Sequence, residues 1–313
     1  MIRRTRGKPV SGWVIVNKPV GINSNRVVGL IKKRFDAQKA GHGGTLDPLA
    51  SGVLPIALGE ATKLISLVMD GRKIYRFTVQ WGDERTTDDA EGGIINISNV
   101  RPKRSQIEAA LDEFIGDIEQ IPPRFSAVKV DGKRAYELAR TGQKFSLEPR
   151  GVKIFSFDLI RTLSPDFAEF RVECGKGTYI RSLARDLSRR LGTFGHVARL
   201  HRVSVGPFGE GRANSLDSFD PLVYEPLSSG YLLPIEAALA DIPALAFNQR
   251  QVEQIRHGRP VPMTDLLEDC SDDSFMSRVR GAPFCAMADG RLVALVFVKD
   301  NFVCPKRVLN PNR

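Results

Sequence analysis

Cysteine and histidine are both scarce in this 313-residue chain, and neither shows a spacing typical of a metal site. The four cysteines, Cys174, Cys270, Cys285 and Cys304, stand far apart and form no C-x-x-C pair. The four histidines, His42, His196, His201 and His257, form neither H-x-x-x-H nor H-E-x-x-H. We therefore expect no zinc site, and dispersed cysteines of this kind are typical of a protein in a reducing compartment.

Long apolar runs are missing as well. One of the longest, residues 292–298, is far too short to cross a bilayer. The start of the chain is basic, with Arg3, Arg4 and Arg6, and the apolar stretch 13–16 that follows is too short for the core of a signal peptide. We expect a cytoplasmic protein with a basic N-terminal arm and no membrane partner.

Positive charge is what the chain has in excess. It carries 46 Lys and Arg against 36 Asp and Glu, a net charge of +10, and its pI is near 9.6. A basic surface attracts polyanions, because neutralised phosphates release their counterions, so the composition favours a nucleic-acid partner. The acidic pair Asp88-Asp89 could contribute to a magnesium site, but we expect it to lie in a solvated surface loop.

Strand-like and helix-like segments alternate along the chain, which predicts a mixed α/β fold. The predicted strands are 12–16, 72–81, 152–160 and 167–174. The predicted helices are 24–35, with Ser24 as a possible N-cap, and 60–69, 105–115, 180–191 and 231–240. Residues 41–59 are rich in glycine and proline, which predicts a loop that passes close to another group.

Two regions differ in composition from the rest. Residues 124–150 are rich in Lys and Arg and have few apolar anchors, so they form either a mobile basic flap or, with equal support, a solvated helix and hairpin. After a first domain over 1–240, the apolar segments become short and are broken by Gly, Pro and Asp. This pattern indicates a small β-rich second domain over 241–313, with the acidic stretch 265–273 as a loop.

One carboxylate lies in the glycine-rich segment GHGGTLDPLASG, residues 41–52. Taken alone, an Asp-Pro pair such as that at Asp47 is usually a turn. Gly41, Gly43 and Gly44 allow a positive φ or a close approach to a ligand. In a basic chain, an aspartate on such a loop could face a bound nucleic acid, and nucleophilic catalysis is one reason to place a carboxylate near phosphates.

Four segments between residues 12 and 208 stand in a characteristic order. They are GWVIVNKPVGINS, GHGGTLDPLASGVLPIALGEATK, IPPRFSAVKVDGKRAYELARTG and RVECGKGTYIRSLARDLSRRLG, the last followed by HVARLHRVSVGPF. Together they resemble the motifs of the TruB family, the bacterial tRNA pseudouridine-55 synthases. The resemblance implies that the chain isomerises a uridine in the T loop of tRNA to pseudouridine, at position 55. It also implies that the reaction needs no cofactor and no metal.

The resemblance implies a role for individual residues. Asp47 is the implied nucleophile, with attack on either the ribose C1′ or the base C6, and Arg181 is implied to pair with it. Tyr75 is implied to stack on the target base, which must be flipped out of the RNA to be reached. The other implied substrate-binding residues are Tyr179, Leu200 and His42, of which His42 would help to displace the base. Lys18 would shape the floor beneath the catalytic loop.

The implied fold is an α/β (α+β) pseudouridine synthase core, in which a long, mixed and largely antiparallel sheet with flanking helices carries the active-site cleft. A small β-rich, PUA-like C-terminal domain would help to bind RNA. The implied partner is the T-arm stem-loop of tRNA, and we expect a monomer. Two alternatives are a non-catalytic tRNA-binding or tRNA-folding factor on the same scaffold and a pseudouridine synthase that acts on another RNA.

Overall fold

The computed structural model describes residues 7–219, 229–240, 242–267 and 281–310. They form a large mixed sheet with helices and a smaller β-rich sheet, so the predicted fold class is confirmed. The basic arm at Arg3, Arg4 and Arg6 lies outside the described residues, as do residues 268–273 of the predicted acidic loop. Within the described ranges, no helix has the length and apolar character needed to span a membrane.

The described residues form nineteen strands and seven α-helices. The strands are β1 (Gly12–Lys18), β2 (Ala40–His42), β3 (Ala50–Leu58), β4 (Lys73–Trp81), β5 (Asp83–Arg85), β6 (Ile94–Ile97), β7 (Gly116–Gln120), β8 (Lys129–Val130), β9 (Lys133–Arg134), β10 (Arg150–Ser164), β11 (Phe167–Cys174), β12 (Gly195–Val205), β13 (Phe208–Gly209), β14 (Asn214–Ser215), β15 (Ala244–Ala246), β16 (Val261–Pro262), β17 (Phe284–Ala288), β18 (Arg291–Lys299) and β19 (Phe302–Val308). The helices are α1 (Ser24–Arg34), α2 (Ile65–Asp70), α3 (Arg104–Leu111), α4 (Ala135–Arg140), α5 (Ile180–Arg190), α6 (Gln249–Arg256) and α7 (Thr264–Leu267).

The main sheet has the strand order β14-β1-β3-β12-β4-β11-β10-β7, with β2 beside β3 and β13 beside β12. Most neighbours are antiparallel, but β12 runs parallel to β3, and β1 runs parallel to β14. The sheet is therefore mixed and largely antiparallel, as the resemblance implies. Strand β12 joins the two halves of the sheet, because it lies between β3 and β4.

Both faces of the main sheet are covered near β1. Successive side chains of a strand point to opposite faces, and Val14 and Val16 face a core that includes Leu183 of α5. Trp13 and Ile15 face a second core, to which the C-terminal domain contributes side chains. Burial on both faces explains why residues 13–16 of this strand are apolar at every position rather than at every second one.

The predicted loop at 41–59 is wrong for most of its length, because β2 and β3 occupy it and only 43–49 forms a connection between them. Strand β3 pairs with β1 along most of its length. A proline is tolerated inside β3, since Pro55 lies between the stretch paired with β12, 50–52, and the stretch paired with β2, 56–58. No neighbouring strand needs its missing N–H there.

Two helix predictions need correction. The N-cap of α1 is Asn23 and not Ser24, since the Asn23 side chain accepts a hydrogen bond from the Arg26 N–H at 2.8 Å. Residues 231–240 contain only a short 3-10 helix, Ile235–Leu239. The other predicted strands and helices are present with shifted or extended ends, and the helix predicted at 60–69 begins as a 3-10 helix.

The basic segment 124–150 contains the β8–β9 hairpin followed by α4, which is the helix-and-hairpin alternative. Ala135 and Leu138 are buried and attach α4 to the protein. The C-terminal domain has a five-stranded sheet in the order β15-β17-β18-β19-β16, on which α6 packs through Val252 and Ile255. The sequence pattern does not predict α6, because its eight residues offer only these two apolar positions.

Candidate active site

The loop that carries Asp47 spans residues 43–49 and is fixed on both sides of the aspartate. The Ala50 N–H donates to the Asp47 carbonyl at 3.0 Å. The Ser24 hydroxyl donates to the Leu46 carbonyl at 3.0 Å and accepts from the Leu46 N–H at 2.9 Å. This double contact explains why Ser24 does not cap α1, and it holds the residue that precedes Asp47.

The Asp47 carboxylate meets Arg181, which lies in the first turn of α5. Arg181 Nε is 2.9 Å from Asp47 Oδ2. Other N–H groups of the guanidinium donate to the Thr87 carbonyl at 2.9 Å and to the Phe125 carbonyl at 3.0 Å. The Arg181 side chain is 6% exposed, whereas that of Asp47 is 34% exposed. A reactant can therefore reach the carboxylate but not the cation behind it.

A second carboxylate, Asp89, lies on the other side of Arg181. Its Oδ2 is 3.6 Å from Arg181 Nη1, and its side chain is 4% exposed. Its Oδ1 accepts from the Thr87 hydroxyl at 2.5 Å and from the Glu91 N–H at 3.1 Å. Arg181 is thus held between two carboxylates, of which Asp47 is the accessible one.

The predicted surface loop at Asp88-Asp89 is wrong, because both side chains are buried. Asp88 Oδ2 accepts from Arg185 Nη1 at 3.0 Å, so two arginines one turn apart on α5 bind two neighbouring aspartates. Burial raises the pKa of Asp88 to about 6, against the opposing effect of Arg185. In the part of the chain that the structure describes, no group of three or more His, Cys, Asp or Glu side chains could hold a metal ion.

Tyr75 lies in β4, directly opposite Arg202 of β12. Burial raises the pKa of its hydroxyl, and the Arg202 guanidinium acts in the opposite direction. The negative charge of Asp47 raises the Tyr75 pKa as well, to a smaller extent than burial. The tyrosine is therefore protonated at neutral pH.

Lys18 lies beneath the Asp47 loop, fully buried at the end of β1. Its Nζ donates to the carbonyls of Pro19 and Ile22 at 2.8 Å each, and to that of Pro48 in the loop at 3.4 Å. Burial lowers the pKa of Lys18 to about 8. The side chain therefore acts as part of the floor that supports the loop.

A second buried cation beneath the loop, Arg202, is not predicted by the motifs. Its Nε donates to the Val53 carbonyl at 2.8 Å, its Nη2 to that of Gly44 at 3.0 Å and its Nη1 to that of Thr45 at 3.4 Å. The residue is 1% exposed. The sequence offers one signal for a role of Arg202. It stands two residues after Leu200, and the alternation of side chains along a strand places both residues on the same face.

Glycines of the loop make room for the protein's own side chains. A Cβ at Gly43 would lie 2.9 Å from Val68 Cγ1 of α2. Gly44 has a φ of +126°, and a Cβ there would lie 3.3 Å from Arg202 Nη1. The close approach that the glycines predict therefore exists, but its partners are α2 and Arg202 rather than a ligand.

A cleft of about 800 Å³ opens beside the loop. Leu200 of β12 lines it, together with Leu49 at the end of the loop. Three arginines also line this cleft, Arg76, Arg161 and Arg199. A cleft of this volume is large enough for a small organic group such as a nucleobase, and cationic side chains around it suit phosphates.

Tyr179 and His42 belong to different elements of the fold. Tyr179 is half-buried and precedes α5, where its N–H donates to Gln120 Oε1 at 2.7 Å and its carbonyl accepts from Gln120 Nε2 at 3.0 Å. His42 ends β2 just before the loop, and burial, with a smaller effect of Arg202, lowers its pKa. Tyr179 therefore stands two residues before Arg181 in the chain, and His42 stands directly before the Asp47 loop.

Comparison with known proteins accounts for this arrangement. Residues 32–180 match the TruB family pseudouridylate synthase N-terminal domain, and residues 181–240 match the tRNA pseudouridylate synthase B C-terminal domain. A protein of Rhodospirillum rubrum named tRNA pseudouridine synthase B is 49% identical over 310 residues, covering 99% of this chain and 100% of that protein. The chain belongs to the TruB family. A TruB relative of the same name from Caulobacter vibrioides is 46% identical over 308 residues, covering 98% of this chain and 99% of its own length.

Solved structures share the TruB fold. The chain is similar to one in a Cbf5-Nop10-Gar1 complex, with a TM-score of 0.72 and 26% identity over 96% of this chain and 85% of that one. It is also similar to one in an H/ACA RNP bound to a substrate RNA containing 2'-deoxyuridine, with a TM-score of 0.70 and 24% identity over 99% and 92% of the two chains. The second likeness concerns the fold alone. The family that the motifs resemble is thereby confirmed.

Proposed function

We propose that this chain isomerises uridine to pseudouridine in tRNA, at position 55 of the T loop, with Asp47 as the nucleophile. The family and the names of its relatives support a pseudouridine synthase that acts on tRNA. The observation that carries the proposal is the Asp47–Arg181 pair, an accessible carboxylate held by a buried cation beside a cleft. A nucleophilic carboxylate needs both access and a partner that keeps it ionised and oriented.

The proposed reaction replaces one glycosidic bond by another. The bond between C1′ and N1 breaks, the uracil turns within the pocket, and a bond forms between C1′ and C5. N1 gains a proton and C5 loses one, so the product is an isomer of the substrate and no electrons are transferred. Asp47 would bond transiently to the ribose C1′ or, in the alternative route, to C6 of the base.

The target base must leave the RNA stack before it can meet Asp47. We propose that the flipped uracil enters the cleft over β4 and β12, where Leu200 would form a wall. Tyr75, the neighbour of the cleft residue Arg76 on β4, would stack against the base. Tyr179 would contact the same nucleotide, and His42 would help to displace the base from the loop. Since Tyr75 is protonated at neutral pH, its hydroxyl can take part in moving a ribose proton only after giving up its own.

RNA binding is proposed to depend mainly on phosphates and on the shape of the T arm. The net charge of +10 supports this. Arg76 and Arg161 both pair with Glu169, whereas no acidic partner is found for Arg199 among the described residues. Arg199 is exposed, and it is therefore the cleft arginine best placed to meet a phosphate. The β-rich domain over 241–313 is proposed to add a further contact to a single tRNA bound by a monomer.

The experiment that tests the proposal uses an unmodified T-arm stem-loop and a full tRNA transcript, with the modified position mapped by mass spectrometry after nuclease digestion. The wild type should form pseudouridine at position 55. The Asp47→Asn variant should form none, because an amide is not a nucleophile at this centre. The matched control is Asp117→Asn, whose carboxylate is 82% exposed on β7, and it should keep wild-type turnover.

Each failure has its own meaning. Turnover in the Asp47→Asn variant would contradict the nucleophile assignment, and a modified uridine elsewhere would contradict position 55. Tight binding of both RNAs by the wild type with no modified base would favour the tRNA-binding or tRNA-folding factor instead.

A further inference from the structure

Arg202 is a buried cation whose described hydrogen-bond partners are backbone carbonyls and not carboxylates. Burying a guanidinium without a counter-charge costs more free energy than burying an apolar side chain of similar size. Packing alone would therefore favour a methionine or a leucine at this position. The contacts that the guanidinium makes must supply something that an apolar residue does not.

The three carbonyls bound by Arg202 lie on both sides of Asp47 in the chain. Gly44 and Thr45 precede it in the loop, and Val53 follows it in β3. A guanidinium presents five N–H groups in one rigid plane. One side chain therefore fixes the distance between the two ends of the segment that carries Asp47.

The strand position of Arg202 is fixed against both neighbouring strands. On one side it pairs with Gly52 in parallel register, so closely that a Cβ at Gly52 would lie 2.2 Å from the Arg202 carbonyl oxygen. On the other side it lies directly opposite Tyr75 in the antiparallel register of β12 and β4. The cation that binds the loop of Asp47 therefore occupies the strand position directly opposite Tyr75.

We propose that Arg202 is a positioning residue for the reaction, which fixes the Asp47 loop relative to Tyr75 without touching the RNA. This inference rests on the proposed function. Its physical basis is that a misplacement of about 1 Å between reacting groups costs about a hundredfold in rate. Since Arg202 is 1% exposed, its loss should slow the chemical step and leave RNA affinity almost unchanged.

The test compares Arg202→Lys and Arg202→Met with Arg185→Lys as the matched control. Arg185 is also a buried arginine of the core, but its described partners are Asp88, Asp186 and the Ile121 carbonyl, none of which lies in the loop. Circular dichroism melting first establishes that each variant is folded. The chemical step is then measured in single turnover with enzyme in excess, as release of tritium from C5 of the labelled uridine, and the Kd for tRNA by filter binding.

We expect Arg202→Met to slow the chemical step about a hundredfold and Arg202→Lys about tenfold. Lysine keeps the positive charge, but its ammonium group donates hydrogen bonds from a single point rather than from a rigid plane. We therefore expect it to rescue only part of the rate. The Kd should change less than about threefold in both, since RNA affinity depends on exposed cations. Chemical steps that stay at the wild-type rate in both Arg202 variants, or an equal loss in Arg185→Lys, would overturn the proposal.

A second measurement does not depend on turnover. Hydrogen–deuterium exchange of peptides that cover residues 41–52 reports how firmly the loop is held. Exchange should be faster than wild type in both Arg202 variants and unchanged in Arg185→Lys. If the wild type modifies no RNA, the proposed function fails, but the exchange data still test whether Arg202 holds the loop. Unchanged exchange in the Arg202 variants would reject the positioning role of Arg202.

Discussion

The Asp47 loop is held in two different ways on its two sides. On the side that we call the front, Arg181 binds the carboxylate itself and is balanced by a second carboxylate, Asp89. On the side that we call the back, Lys18 and Arg202 bind backbone carbonyls of the loop and its flanks. The front orients the reactive group, whereas the back determines where the loop lies.

The two sides also differ in how a buried positive charge is compensated. Arg181 lies between two carboxylates, so its charge is neutralised locally. Lys18 donates only to carbonyls, and burial lowers its pKa to about 8. We therefore expect damage at the front to abolish chemistry in a folded enzyme, and the back to respond more strongly to pH.

Among the residues that hold Asp47, the largest effect should follow from Arg181→Met at the front. Asp47 loses its counter-charge and Asp89 becomes an unpaired buried carboxylate, so we expect the single-turnover rate to fall about a thousandfold. The Kd for tRNA should change little, because Arg181 is buried. Arg190→Met is the control: this arginine of the same helix forms an exposed pair with Glu113 and should stay within about twofold of wild type. A loss confined to RNA binding would contradict the role of the front.

A smaller effect should follow from Asp89→Asn, which keeps the shape of the front and removes one of its two negative charges. We expect the single-turnover rate to fall about tenfold, since Arg181 is then less firmly oriented toward Asp47. The double variant Asp89→Asn, Arg181→Met should be no slower than Arg181→Met alone, because residues of one network are not additive. Additive losses would show that Asp89 acts independently of Arg181.

At the back, Lys18 should make the free energy of unfolding depend on pH. Its pKa is about 8 in the folded protein, against 10.5 for an ordinary lysine in an unfolded chain. Between these values the unfolded state binds more protons, so the contribution of Lys18 to the free energy of unfolding rises with pH through this window and is smallest below pH 8. Urea unfolding of wild type and Lys18→Met at about pH 7 and about pH 9.5 measures the difference between them, which should shift in favour of wild type at the higher pH. A difference that does not change with pH would count against the lowered pKa.

The smallest effect should follow from Arg199→Ala, outside both sides of the loop. Loss of one phosphate contact should lower the slope of log Kd against log salt concentration by at most about one, with the chemical step unchanged at saturating enzyme. Arg104→Ala is the control, because this exposed arginine of α3 pairs with Glu108 away from the cleft. An unchanged slope in Arg199→Ala would remove this residue from the proposed RNA contact.

The front is more accessible to sequence reasoning than the back. The family resemblance implies roles for Asp47 and Arg181 and suggests that they meet. Arg202 also stands in one of the quoted segments, HVARLHRVSVGPF, but the resemblance implies no role for it. Arg202 binds Val53 across a sequence separation of 149 residues, and its role depends on strand register, which local patterns do not contain. Asp89 is misread as a surface residue for the same reason, because its burial is created by a helix far along the chain.

The fold shows the same division. Strands with a clear alternation, such as β4, and the amphipathic helix α5 follow from the sequence. Strand β3 does not, because its glycine and proline residues, which usually end strands, here permit close contact with Arg202 and fit a gap between neighbouring strands. Helix α6 is too short to produce a recognisable period.

The place of β12 between β3 and β4 has a consequence for the newly synthesised protein. A ribosome that has translated the first 194 codons has already supplied Asp47, Tyr75 and Arg181, but not the strand that joins the two halves of the sheet. Non-local pairing of this kind forms late and slowly. We therefore expect a nascent chain to be inert toward RNA until β12, which ends at Val205, emerges and inserts, so that the segments before it do not form a working active site by themselves.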